Sequence, residues 1–158
     1  MLLQIHVLIS LIGIVSGLVV LYGLLTGRPF GAWTALFLAA TIATTVTGFP
    51  LPPFGPTPAR VLGWISLVLL ALAVAALYGF RLAGAWRWIY IGSAVGALYL
   101  NVFVGVVQSF QKLAFLKPLA PTQSEPPFLV TQIVLLAVFI TAGILAGMRL
   151  HPESQPAS

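Results

Sequence analysis

The sequence predicts an all-α fold, an integral membrane bundle of five transmembrane helices, and three observations carry that prediction. First, 60% of the 158 residues are hydrophobic and only 6% are charged, with a mean hydropathy of +1.11, outside the usage of soluble domains. Second, apolar runs stand at about 2–25, 31–49, 61–80, 86–107 and 127–148, each near the roughly 20 residues needed to cross hydrocarbon. Third, all 12 prolines lie outside those runs or at the first residue of one, where a missing N–H costs nothing. Residues 1–150 are expected to form a single transmembrane domain, followed by a short disordered tail, HPESQPAS, at 151–158.

The first run has no basic n-region and continues to Leu25, so it is read as a retained helix rather than a secretory signal. Its His6, Ser10, Gly13 and Gly17 fall on one face, and Gly13 and Gly17 form a G-x-x-x-G pair that admits a close neighbour. Gly27-Arg28-Pro29 makes a turn into the second run. There Thr34, Thr41, Thr45 and Gly48 share a face, with Thr44 and Thr47 nearby. Hydroxyls in a span usually bond back to their own helix, which makes packing the simple account and a hydroxyl-lined path the alternative.

Five prolines between Pro50 and Pro58 stiffen the next connection. The third run is nearly featureless and reads as scaffold. The fourth has two faces: Gly92 and Gly96 form a second small-residue pair, while Tyr90, Ala97, Asn101, Gly105, Gln108 and Lys112 line the other side at helical spacing. An apolar patch, Leu113 to Leu116, lies between Lys112 and Lys117 and suits the membrane interface. The fifth run aligns Glu125, Gln132, Phe139 and Gly143.

The formal net charge of +5 does not indicate a nucleic-acid partner, because the seven basic residues are spread through the connections and serve as membrane anchors. With no cysteine there is no disulfide, thiolate nucleophile, iron–sulfur cluster or zinc–thiolate site. Five spans place Arg28, Arg81, Arg87 and Arg149 on one face and Arg60, Lys112 and Lys117 on the other. The four-arginine face has the shorter connections and gathers Tyr22, Trp33, Tyr78, Trp86, Trp88 and Tyr90 as an aromatic belt, so it is expected to be cytoplasmic, with the N-terminus outside.

In topological order, polar residues collect toward the expected outer face: His6, Thr45, Arg60, Asn101, Gln108, Gln111, Lys112, Glu125 and Gln132. These nine are the candidate ligand-binding residues. The amides Asn101, Gln108 and Gln132 are expected to turn into the bundle, either as structural glue worth about 1 to 2 kcal/mol per bond or as the lining of a pocket. Glu125 reads as an acid, base or cation ligand, or as the cap of the fifth helix, with Pro126 at the first helical position. The two histidines, His6 and His151, fall on opposite faces, which excludes a bis-histidine haem within one subunit. No metal site, catalytic residue or cofactor is assigned, and no charge lies in the middle of any span.

The segment APTQSEPPF after the helix end QSFQK, with TGFPLPP upstream, resembles small multi-pass bacterial inner-membrane proteins of unassigned function. That resemblance implies a bacterial inner-membrane location and no activity. The function expected first is an outward-facing polar pocket that binds or passes a small molecule, lipid or ion. The alternative is a structural or partner-binding subunit, homo-oligomeric or not, assembled through Gly13/Gly17, Gly92/Gly96 and Gly143/Gly147. An enzyme using Glu125 ranks last, since no nucleophile-and-base pair is evident.

Overall fold

The computed structural model describes residues 1–28, 31–52 and 54–150, so the expected tail at 151–158 lies outside the described residues. Within them the chain forms five long helices: α1 (Leu2–Thr26), α2 (Gly31–Gly48), α3 (Pro58–Val74, continued by a π-turn at Ala75–Gly79), α4 (Trp86–Lys112) and α5 (Pro126–Arg149). Each is long and apolar enough to span a membrane.

The helix ends follow from local chemistry. Gly27 adopts the left-handed conformation that closes α1, and the Arg28 N–H donates back to the Gly23 carbonyl at 2.8 Å. α3 begins three residues before its apolar run because the Thr57 side chain accepts from the Arg60 N–H and Pro58 takes the first turn. α4 continues five residues beyond its apolar run, to Lys112, because nothing in QSFQK breaks a helix. Those residues add about 7.5 Å at 1.5 Å each, enough to carry the polar end beyond the hydrocarbon.

α1, α2, α3 and α4 pack in sequence order, α1 and α4 also touch across the centre, and α5 lies against both. The end of the bundle that bears the N-terminus, the α2–α3 connection and the α4–α5 connection is called the N-face here, and the opposite end the C-face. At the N-face the Arg60 guanidinium donates to the Phe49 carbonyl at 2.9 Å, supplying a partner just past the end of α2. At the C-face Arg149 does the same for α1, donating to the Leu25 carbonyl at 2.7 Å. The core is built from Leu24, Phe37, Leu70, Ile91 and Leu98, with fully buried Ala73, Ala97 and Ala146 letting backbones approach. Leu8, Val15, Ile133, Ile140 and many other large apolar side chains point outward, as hydrocarbon surroundings require.

Of the three glycine pairs, Gly13 and Gly17 are buried inside the bundle, and Gly147 lies beneath the Trp88 ring. Gly92, in contrast, borders open space. One expected member of the aromatic belt is misplaced: Tyr90 is 3% exposed, on the inward face of α4 with Thr34 against its hydroxyl.

Candidate functional site at the junction of α1, α2 and α4

The site begins at the N-face with His6. Its Nδ1 lies 3.0 Å from the Thr47 Oγ1. The Thr47 hydroxyl spends its hydrogen on the Ala43 carbonyl at 2.7 Å, so it accepts from His6 Nδ1–H. The neutral ring therefore keeps its lone pair on Nε2. Lys112, at the end of α4, is close enough for its charge to act on the ring. Gly48 makes room for the imidazole, since a Cβ there would stand 3.2 Å from the His6 Cε1.

Two turns deeper, about 10 Å along α1, stands Gly13. A Cβ built on it would meet the Asn101 Nδ2 at 3.1 Å and the Thr41 Oγ1 at 3.2 Å. The space above the Gly13 backbone is thus bounded by an amide from α4 and a hydroxyl from α2. Neither atom has a hydrogen-bond partner among the described residues, and neither does the Thr44 Oγ1 one turn nearer the N-face. Thr41 is 1% exposed and Thr44 9%, so both are buried where a lone hydroxyl is costly.

One further turn along α1 the surroundings change character. A Cβ on Gly17 would run into Leu98 and lie 2.9 Å from the Phe37 ring. Leu98 is one turn from Asn101 on α4, and Phe37 is one turn from Thr41 on α2. All three helices pass from polar to apolar at the same level. The geometry is a file, a row of polar groups, His6, Thr47, Thr44, Thr41 and Asn101, that starts at the N-face and gives way to Leu98 and Phe37 near mid-span.

The nine expected residues do not converge on one pocket. His6 and Asn101 belong to this file, with Lys112 at its mouth. Thr45 donates to its own helix at the Thr41 carbonyl, 2.9 Å away, and faces Ser66 of α3 at 3.4 Å. Arg60 is engaged with Phe49 and lies over the Phe54 ring at 5.7 Å. Gln111 donates to Gln123 at 3.4 Å, and Gln123 donates to the Val107 carbonyl at 3.1 Å, so this pair secures the α4–α5 connection. Gln132 is buried between α4 and α5, donating to the Phe103 carbonyl at 3.4 Å while its Oε1 has no partner among the described residues.

Two expectations change. Gln108 is exposed rather than turned into the bundle. It stands one turn from the end of α4, where a long side chain reaches the aqueous interface, so nothing obliges it to find a partner among helices. Glu125 occupies the N-cap position of α5, but its carboxylate makes no cap bond. It accepts instead from the Thr122 hydroxyl at 2.7 Å and from the Thr122 and Ser124 N–H groups, each at 3.1 Å. The Thr122 hydroxyl, aided by these amides, holds the carboxyl below the usual carboxylate range. Glu125 organises its own loop.

Thr41, Thr44 and Thr47 were not among the nine. Their signal is a spacing of three along α2, close to the four-and-three spacing of His6, Ser10 and Gly13 on α1. No family model matches the chain, and no curated protein or solved structure matches it.

Proposed function

We propose that this protein is a small-solute binding protein of the bacterial inner membrane, whose site is the buried polar cleft between α1, α2 and α4, closed in this structure and reached when the bundle opens at the outer face beside His6. The observation that carries this reading is the set of unpartnered polar atoms, Thr41 Oγ1, Thr44 Oγ1 and Asn101 Nδ2, held along one file near mid-span. An amide N–H and two hydroxyls together complement a neutral solute that carries both a hydrogen-bond acceptor and a donor, such as a small polyol or amide. No ion is favoured, since the deep part of the file offers no formal charge. Binding is favoured over passage because Leu98 and Phe37 close the file at Gly17. The resemblance noted above and the short four-arginine connections support the membrane assigned and an outside N-terminus.

The test uses Thr44→Cys in an otherwise cysteine-free chain. A thiol reagent is applied to proteoliposomes in the presence of a panel of small polyols, amides and alcohols. At least one member is expected to slow labelling at Thr44→Cys by tenfold or more, and to lose that effect when Asn101→Leu is added. If every solute leaves the labelling rate unchanged, the cleft is not a binding site.

A further inference from the structure

A cavity lies at the C-face, remote from the polar file, and all five spans or their ends frame it. It has a volume of about 340 Å³ and is bounded by Leu24 of α1, Thr34 of α2, Leu77 of the π-turn, Leu82 of the α3–α4 connection, Tyr90 of α4 and Leu150 after α5. Cavities of this size are in the range of small-molecule sites, and a dry cavity of about 150 Å³ already accepts benzene. The walls are mostly aliphatic; Tyr78 stands exposed at the rim, and deeper in the Tyr90 hydroxyl faces Thr34.

The backbone around this cavity is unusual in the same place. α3 widens into the π-turn at Ala75–Gly79, a feature frequently found at functional positions. The next residues, Arg81 and Leu82, both take positive φ, 48° and 60°. A leucine in that region costs on the order of 1–3 kcal/mol and persists only where its surroundings enforce it. Here the Leu82 N–H donates to the carbonyl of fully buried Ala76 at 2.9 Å, which fixes the Leu82 side chain as a cavity wall.

The chemistry of the polar end sets the ligand. A phenol oxygen has two lone pairs, and a bond to Thr34 uses at most one of them. Tyr90 therefore remains able to accept. We propose that the C-face cavity is a binding site for a one- or two-ring hydrophobic molecule carrying a single O–H or N–H donor, with the rings among Leu24, Leu77, Leu82 and Leu150 and the donor on Tyr90. This site is independent of the solute cleft.

Photolabelling of the full chain in lipid nanodiscs tests it. The probes are a diazirine-bearing phenol and its hydroxyl-free toluene counterpart, with adducts mapped by mass spectrometry. The phenol is expected to label the segment Leu77 to Leu82 saturably, to be displaced by excess 2-naphthol, and to lose about tenfold in half-saturation in Tyr90→Phe. Leu24→Trp, which fills the cavity, should abolish saturable labelling, and Tyr90→Phe decides the matter if that variant does not fold. Equal saturable labelling by the toluene probe would mean a crevice for lipid chains and overturn the proposal, as would labelling unchanged in Tyr90→Phe or spread over the lipid-facing surface.

Discussion

Replacing Gly17 with valine is expected to be the most damaging single change in this bundle. Gly17 is buried where α1 meets both α2 and α4, and the smallest added side chain would run into Leu98 and the Phe37 ring at 2.9 Å. Phe37 is 1% exposed and Leu98 2%, so neither has space to retreat into. Overpacking of this kind costs about 1–3 kcal/mol, and a β-branched residue on the contact line belongs at the upper end or beyond. The comparison that makes this specific is with other glycines. Gly147→Ala also meets a neighbour, but that neighbour is the Trp88 ring, which is 47% exposed and can swing aside. Gly92→Ala meets nothing within 4 Å and should stay within about 0.5 kcal/mol of the parent. Thermal unfolding in detergent, followed by tryptophan fluorescence, should rank the variants in that order. A Gly17→Val midpoint equal to that of Gly92→Ala would remove the close approach from the account.

Asn101→Leu is expected to act in the opposite direction, and it separates a binding amide from a structural one. If Asn101 served as glue between helices, its loss would cost about 1–2 kcal/mol. Its Nδ2 has no partner among the described residues, however, and an unpartnered buried amide is itself unfavourable by about 1–3 kcal/mol. Leucine has the same branched skeleton and no polar group, so the variant should be as stable as the parent or more stable, by up to about 2 kcal/mol. The same variant should lose solute protection of the cleft. Destabilisation of more than about 1 kcal/mol would return Asn101 to a structural role.

Much of the architecture is legible in the letters because hydrocarbon imposes a simple rule. A run of about 20 apolar residues closed by prolines has few alternatives to a span. The α1 face carrying His6, Gly13 and Gly17 is equally readable, since period alone puts those residues together. Partner choice is not readable in this way. Which threonines of α2 return their hydroxyls to the backbone depends on what stands opposite: Thr45 faces Ser66 and bonds to its own helix, whereas Thr41 faces Gly13 and does not. That distinction needs the contact of α1 with both α2 and α4, which is a property of the packed bundle. Tyr90 is a similar case. Its place near the end of a span suits an interfacial anchor, yet the inward face of α4 buries it beside Thr34.

If the bundle opens beside His6, water enters from the N-face along the file to Asn101 and stops at Phe37. The absence of native cysteine makes site-directed labelling unambiguous. Single cysteines at Thr47, Thr44, Thr41 and Phe37 report successive depths along α2, and Val46, which is 54% exposed toward lipid, serves as the reference. A small charged thiosulfonate added on the N-face side should label Thr47→Cys fastest, Thr44→Cys and Thr41→Cys more slowly, and Phe37→Cys and Val46→Cys not at all. Addition on the C-face side should label none of them. If Thr44→Cys and Thr41→Cys prove as inert as Val46→Cys, or are labelled from the C-face, the file is not a water-accessible cleft and the account fails.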